Sequence, residues 1–241
     1  MGIASTRLEF LRSGIVQPPF NPIELFAGGV DGGWYDISDL SVLFQDSAGT
    51  TPVTTDGDPV GLIVDKSGNN HNAVQANNDR RPTFKISGTG KNYLDFAQGD
   101  HMNIDFVSSQ KTLSAVEICV PRNRDFIIAS RFGDSGRFVG IGQSGSGSGS
   151  LSSSSTQLGF YVDGVLSNAT TRGGQFSDAQ TGNVIETNYT ASTWRSPLSF
   201  GQYANVNSAA RNIGDMYGWI FREGGLGAFR QDVVNYGKGL I

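Results

Sequence analysis

The chain has 241 residues, a length that suits one all-β domain with a short extension, because sandwiches reach ~200 to 250 residues as single domains. Hydrophobic residues make up 37% and charged residues 17%, and 33 glycines favour short strands joined by tight turns, which excludes a helical bundle and a disordered acidic chain. The net charge is −4 and the 18 Lys and Arg form no basic run, so the composition argues against a nucleic-acid partner.

The first 27 residues differ in pattern from the rest of the chain. Leu8, Leu11 and Ile15 share one helical face for a turn or two, and prolines follow from position 18. This apolar face needs another surface to pack on, so these three residues are candidates for docking on another protein. The sequence therefore predicts an N-terminal arm over residues 1–27 and a single domain over residues 28–241.

Neither export nor membrane insertion is indicated. Charges at Arg7, Glu9 and Arg12 interrupt the apolar stretch that a secretory signal needs, and no segment reaches the ~18 apolar residues of a membrane span. We therefore expect a protein made in the cytoplasm, with no membrane partner. The single cysteine, Cys119, excludes an intrachain disulfide, and its apolar neighbours indicate a packed thiol.

Along the domain, a short helix is predicted over about residues 38–44, capped by Ser38, with three apolar residues on one face. Alternation of apolar and polar residues then predicts strands with one buried and one wetter face, at Leu94 to Phe96, Met102 to Phe106 and Val116 to Val120.

In the second half of the chain, Asp163-Gly164 between two apolar runs predicts a hairpin, because both residues tolerate positive φ. The Gly- and Ser-rich tract that runs to residue 155 predicts a mobile loop. A C-terminal helix is predicted over about residues 226–237, with Gly237 and Gly239 placed to end it.

Two groups of residues are candidates for ligand binding. The segment Asp65 to Asn69 places oxygen ligands at alternate positions, as a calcium loop does, although it lacks the glycine and the glutamate of an EF-hand. Calcium held by Asp65 and Asn69 is the one cofactor that the sequence suggests, and an Asx-stabilised turn is the alternative. Trp34, Tyr35 and Trp194 could stack on a sugar if exposed, and core packing is the alternative.

The sequence gives little support for a catalytic, zinc or nucleotide-binding site. Gly140 to Gly145 matches GxGxxG, but the Gly- and Ser-rich tract follows it instead of a helix. Two histidines, His71 and His101, with one cysteine cannot supply a typical zinc centre. The five glutamates are isolated and form none of the paired-carboxylate motifs of sandwich-type glucanases, although an Asp-based site stays open.

Several stretches resemble a segment common in phage and prophage structural proteins. They are Leu25-Phe26-Ala27-Gly28-Gly29, Gly33-Trp34-Tyr35-Asp36-Ile37-Ser38-Asp39-Leu40 and the residues up to Val53, Pro59-Val60-Gly61, Asp65-Lys66-Ser67-Gly68-Asn69, Arg81-Pro82-Thr83 and Tyr93-Leu94-Asp95-Phe96. Gly218-Trp219-Ile220-Phe221 and the segment Arg230 to Tyr236 are similar to that family's last strand and terminal helix. The resemblance covers residues 25–107 and 217–239. It departs at Asn70, which occupies a turn position where the relatives often have glycine.

The resemblance implies an all-β fold, a concanavalin-A-like or laminin-G-like antiparallel β-sandwich (jelly roll), in a bacteriophage virion. It implies no catalytic residues, because the shared residues look structural. We therefore predict a non-enzymatic virion structural protein, displayed on the particle as a head decoration, fibre or tail component. Its expected partners are other phage virion proteins and copies of itself, with trimers common in fibres. The alternatives are a glycan-binding adhesin that recognises the host surface and, ranked below it, a polysaccharide-cleaving enzyme.

Overall fold

The computed structural model describes residues 19–97, 99–108, 112–120, 126–132, 137–142, 155–179, 181–191, 198–200 and 215–241. The predictions made for Leu8, Leu11, Ile15 and Trp194, and for most of the Gly- and Ser-rich tract, lie outside these residues.

The strands form two antiparallel sheets. In chain order they are β1 Gly32–Asp36, β2 Leu43–Phe44, β3 Leu62–Ile63, β4 Ala73–Val74, β5 Thr83–Ile86, β6 Asn92–Asp95, β7 Met102–Ile104, β8 Thr112–Val120, β9 Phe126–Phe132, β10 Arg137–Gly142, β11 Ser155–Val162, β12 Val165–Leu166, β13 Val184–Ala191, β14 Leu198–Phe200 and β15 Asp215–Glu223. Sheet A has the order β12-β11-β13-β8-β15-β6-β5, with β1 also paired to β15, and sheet B has the order β10-β9-β14-β7-β4-β3-β2. The prediction of an all-β antiparallel sandwich is confirmed.

Short helices join these strands. In the described part of the chain, four are 3₁₀ helices, at Pro22–Phe26, Leu40–Val42, Asn78–Arg80 and Gly227–Phe229, and two are α-helices, α1 at Arg172–Ala179 and α2 at Arg230–Leu240. None of the helices in the described part of the chain is long and apolar enough to cross a membrane.

The interior of the sandwich is built from apolar side chains of both sheets. Sheet A contributes Phe84, Leu94, Leu113, Ala115, Cys119, Trp219 and Phe221, and sheet B contributes Leu43, Ile63, Ala73, Met102, Ile104, Leu198 and Phe200, all of them buried. Burial raises the pKa of the Cys119 thiol, and the nearby Glu117 and Asp215 carboxylates add to this effect. The prediction of a packed thiol is confirmed.

A second apolar cluster lies on the outer face of sheet A. There Val116 and Ile118 of β8 pack in one cluster with Val233 and Val234 of α2. The neighbouring residues of β8 that point the other way, such as Ala115 and Cys119, belong to the sandwich interior. The expectation of one buried and one wetter face was therefore wrong for β8, because α2 covers the face that would otherwise meet water.

The helix predicted over residues 38–44 is wrong. It is reduced to the 3₁₀ turn Leu40–Val42, which is capped by Asp39, not by Ser38: the Asp39 carboxylate accepts a hydrogen bond from Ser41 N. Leu43 and Phe44 then pair with Ile63 and Leu62, so sheet formation overrides the helical spacing.

The C-terminal helix is confirmed, but it runs to Leu240 instead of ending at Gly237. A side chain at Gly237 would place its Cβ 2.6 Å from Val184 Cγ2 and 3.2 Å from Ile118 Cγ1. This glycine therefore allows α2 to approach sheet A closely, and it does not terminate the helix.

Two turns follow the expected backbone conformation. Asp163 and Gly164 have φ of +50° and +83° between the paired strands β11 and β12, which confirms the hairpin. Asn70 has φ of +64°, so it adopts the left-handed conformation that glycine would adopt more easily.

Residues 20–26, which the sequence analysis assigns to the arm, pack against the sandwich. Leu25 is 1% exposed, and it packs with Phe26 in the outer cluster of sheet A. The Phe20 ring lies 6.2 Å from the Phe229 ring, and Asn21 and Glu24 form a capping box for the first 3₁₀ helix.

Gly32→Ala is expected to destabilise the fold. Gly32 has φ of +148°, and a Cβ there would collide with the Phe221 carbonyl and lie 2.7 Å from Arg222 Cα, because β1 runs directly against β15. We expect a loss of about 3 kcal/mol in the free energy of unfolding, measured by urea denaturation. Gly88→Ala is the control, since nothing lies within 4 Å of a Cβ there. A Gly32→Ala protein as stable as that control would contradict the close approach.

Candidate functional site

The predicted calcium loop is a hydrogen-bonded clasp around Asp65. Its Oδ1 accepts hydrogen bonds from Trp34 N (2.9 Å) and Ser67 N (2.8 Å), and its Oδ2 accepts from Ser67 Oγ (2.7 Å) and His71 N (3.0 Å). Because Trp34 lies in β1, Asp65 joins the loop over residues 65–72 to that strand. We refer to this arrangement as the Asp65 clasp.

The remaining polar groups of the loop are also engaged. Asn69 Nδ2 donates to Gly32 O (2.9 Å) and Val30 O (3.2 Å). His71 Nε2 lies 2.7 Å from Asp31 Oδ1, and His71 Nδ1 lies 2.9 Å from Asp105 O. The His71 ring thus lies between an oxygen of Asp31 and one of Asp105 and connects the loops that carry them.

This geometry does not favour a cation at Asp65 and Asn69. Both Asp65 oxygens already accept from N–H or O–H donors, and Asn69 presents its amide nitrogen, which cannot ligate a hard cation. Within the described ranges, no three His, Cys, Asp or Glu residues lie together in a way that could hold a metal ion. The contacts are those of the Asx-stabilised turn, and calcium binding there stays a prediction.

Trp34 and Tyr35 occupy packed positions. Trp34 is 7% exposed, its Nε1 donates to Tyr236 Oη at 3.1 Å, and Lys66 Nζ lies 4.8 Å from its ring centre. Tyr35 is 1% exposed and stacks on Trp219 at 5.7 Å, and its hydroxyl donates to His71 O. Neither ring offers a free face to a sugar, so the structure corrects the stacking interpretation to core packing for these two residues.

A polar network anchors the start of α2 to sheet A. Arg230 Nε lies 2.6 Å from Glu186 Oε2, and its guanidinium lies 3.8 Å from the centre of the Tyr161 ring. The Glu186 hydrogen bond raises the pKa of Arg230, against the effect of partial burial. Asn188 Nδ2 donates to Glu186 Oε1 at 3.0 Å. This network orients the helix, and the positive charge of Arg230 already balances the Glu186 carboxylate.

Among the described residues, a concave site of about 650 Å³ lies beside the β11–β12 hairpin. It is lined by Val162, Asp163, Val165, Leu166, Ser167, Asn168, Ala169, Asp178 and Thr181. The hairpin forms one wall, and the end of α1 with the turn after it forms the other. We refer to this as the hairpin cleft.

Hydrogen bonds hold the two walls of the hairpin cleft together. Ser167 Oγ donates to Asp178 Oδ2 of α1 and accepts from Ala169 N at 3.1 Å. Gln175 of α1 donates from Nε2 to Ala169 O at 3.3 Å. The segment after β12 is therefore attached to α1 at two points, which fixes the position of the Asp178 carboxylate in the cleft.

The second carboxylate of the cleft, Asp163, is structural. Its Oδ1 accepts from Asn183 N (3.0 Å) and Val184 N (2.9 Å), and its Oδ2 lies 2.9 Å from Lys238 Nζ. Partial burial works in the opposite direction, but Lys238 and these two N–H donors lower the pKa of Asp163. Asp163 therefore closes the hairpin against α2, and Asp178 is the carboxylate with an oxygen to offer a ligand.

Sequence reasoning predicted the hairpin but not the cleft. The Asp163-Gly164 turn was visible in the sequence, whereas α1 begins Arg172-Gly173-Gly174, and two glycines in its first turn hide it from a propensity argument. The lone signal for a ligand site was the polar run Ser167-Asn168 directly after the hairpin.

No protein-family model, curated protein or solved structure matches this chain.

Proposed function

We propose that this chain is a non-enzymatic structural protein of a bacteriophage virion, displayed on the particle surface as a head decoration, fibre or tail component. Its sandwich is proposed to be of the concanavalin-A-like or laminin-G-like kind. The N-terminal arm attaches it to other virion proteins, and copies of the chain assemble with one another.

The packing of the two resembling segments supports this proposal. Residues 25–107 and 217–239 are far apart in the chain, yet β1 pairs with β15 along five residues, from Gly32 opposite Arg222 to Asp36 opposite Gly218. Trp34 of the first segment donates to Tyr236 of the second. The residues that carry the resemblance thus form one scaffold, as expected if they were inherited together as one attachment domain.

Labelling of purified virions tests the proposal. We expect an antibody to this protein to label intact particles in electron microscopy, at the head, the neck or the tail, and peptides of the chain to co-purify with virions through a density gradient. A chain missing from gradient-purified particles would overturn virion display.

The arm predicts a separate result. Replacing Leu8, Leu11 and Ile15 together by serine should reduce incorporation into particles by roughly tenfold or more, because serine cannot replace the apolar surface that the three side chains would bury on docking. The comparison is made by complementing a phage that lacks the gene and measuring the protein per particle. Ile23→Ser is the matched control, since Ile23 is 41% exposed but lies on the sandwich unit. Equal incorporation of the triple variant and the control would contradict docking through the arm.

A glycan-binding adhesin is the second candidate, and the hairpin cleft is the observation that favours it. A cleft of about 650 Å³ falls within the ~300 to 1,000 Å³ of small-ligand sites, and its lining combines apolar side chains with a few polar groups. Display on the particle and glycan binding are compatible, so label at the tail tip or fibres would make the adhesin the leading function.

A further inference from the structure

The hairpin cleft carries two of the exposed large apolar side chains of the described structure. Val165 is 71% exposed and Leu166 is 51% exposed, and both line the cleft. They form β12, a two-residue strand at the edge of sheet A. Consecutive side chains of a strand point to opposite faces of the sheet, and Val165 pairs with Val162, which also lines the cleft, so Val165 lies on the cleft side. An exposed apolar side chain at the rim of a cleft gives a ligand an apolar surface to lie on.

The polar groups of the cleft mainly accept hydrogen bonds. Asp178 uses Oδ2 for Ser167, and its Oδ1 has no partner among the described residues. Thr181 Oγ1 already donates to Asp178 O at 2.6 Å, so its lone pairs face outward. Asn168 is exposed, and its amide makes no hydrogen bond within the described ranges. A ligand that fits this lining must bring hydrogen-bond donors.

The charge of the lining selects against an acidic ligand. Asp163 and Asp178 are both carboxylates, and the described residues that line the cleft include no basic side chain. Lys238, which lies beside the cleft, is paired with Asp163. A ligand carboxylate or phosphate would meet like charge here, whereas a hydroxyl or an ammonium group would not.

We infer that the hairpin cleft binds a neutral or amino sugar unit, with one C–H face over Val165 and a hydroxyl or ammonium group donating to Asp178 Oδ1. A pyranose has one apolar face and a ring of O–H donors, which matches an apolar rim opposite a set of acceptors. This inference rests on the adhesin candidate, and it assigns to that function a site, a ligand class and the residues that select it.

Ligand-observed and protein-observed NMR test the inference on the full chain with defined probes. The probes are N-acetylglucosamine, galactose and glucosamine, with glucuronic acid as the acidic comparison. We expect saturable shifts of the amide signals of residues 162–169 and 178–181 with at least one of the first three sugars, and binding of glucuronic acid that is at least several-fold weaker.

Two variants probe the two halves of the site. Asp178→Asn keeps the shape and the Ser167 contact but removes the charge, and it should weaken binding by roughly tenfold. Val165→Ser should weaken it similarly by removing the apolar surface. Their matched controls are Asp79→Asn, at an exposed carboxylate, and Ile86→Ser, at a 46% exposed residue of β5 on the opposite edge of sheet A. Melting curves check that each variant is folded, and Val165→Ala replaces Val165→Ser if the serine variant is not.

Three outcomes would overturn the inference: no saturable binding of any of the three sugars at tens of millimolar, tighter binding of glucuronic acid, or binding that both cleft variants leave unchanged. Failure here is distinguishable from failure of virion display. If virions are labelled but no sugar binds, the sugar site is refuted and the proposal of virion display stands. If a sugar binds but the chain is missing from virions, virion display is refuted and the sugar site stands.

Discussion

Glu117→Gln is expected to stabilise the protein strongly at alkaline pH and hardly at all at pH 4.5. Glu117 lies in β8 and points into the sandwich interior, where it is 1% exposed. Its Oε1 accepts a hydrogen bond from Trp219 Nε1 at 3.3 Å, and its Oε2 has no hydrogen-bond partner in the described structure. Burial raises the pKa of Glu117 from 4.5 to about 8, because the charged carboxylate loses its hydration there.

The direction of the pH dependence follows from this raised pKa. Below pH 4.5 the carboxyl is protonated in both the folded and the unfolded chain, and it imposes no charge penalty. Between 4.5 and about 8 the unfolded chain releases the proton and the folded chain keeps it, so stability falls by about 1.4 kcal/mol per pH unit. The total loss reaches about 5 kcal/mol near pH 8 and then levels off.

Urea denaturation followed by tryptophan fluorescence, at pH values from 4.5 to 9, measures this effect. Glu117→Gln cannot ionise, so its free energy of unfolding should exceed that of the wild type by several kcal/mol at pH 8, and the two should converge at pH 4.5. Glu24→Gln is the control for loss of one negative charge, since glutamine can still accept the capping hydrogen bond from Asn21 N. Stability curves of Glu117→Gln and wild type that run parallel with pH would contradict a buried neutral carboxyl.

Asp65→Ala is expected to be the most damaging loop substitution. It removes the acceptor for Trp34 N, Ser67 N, Ser67 Oγ and His71 N together, and most of these donors lie in or beside buried structure where water cannot replace the carboxylate. An unsatisfied buried donor costs about 1 to 3 kcal/mol, so we expect a loss of about 4 kcal/mol in the free energy of unfolding.

The matched control for Asp65→Ala is Asp46→Ala. The Asp46 carboxylate accepts from Ala48 N, Thr50 N, Thr50 Oγ1 and Thr51 N, a similar set, but in an exposed loop where water can take its place. Thermal melting of the two variants compares the loss of a similar set of hydrogen bonds at a buried site and at an exposed site. Equal losses of melting temperature would show that burial of the Asp65 clasp contributes nothing.

Several features of the fold were predictable from local sequence alone. The alternation of apolar residues indicated strands, Asp163-Gly164 indicated a hairpin, and the spacing after Leu226 indicated a C-terminal helix; the structure confirms all three. These signals succeed because positive φ and side-chain periodicity are properties of a few neighbouring residues. The helical spacing after Ser38 was misleading, because pairing with β3 decided the conformation of Leu43 and Phe44.

The candidate site was predictable only in fragments. Asp65 and Asn69 were recognised as polar loop residues, but their partners in β1 decide that they form a clasp. Trp34 and Tyr35 were recognised as aromatic, but α2 and β15 decide that they are buried.

By itself, then, the sequence determined an all-β chain with one hairpin turn and one terminal helix. Tertiary structure decided that β8 is buried on both faces, that Glu117 is enclosed without a charged partner, and that α1 meets the β11–β12 hairpin to form a cleft. The physical reason is that burial and hydrogen-bond partnership depend on residues far apart in the chain. The cleft joins the hairpin to Asp178 and Thr181, and Glu117 contacts Trp219. No local sequence pattern encodes either contact.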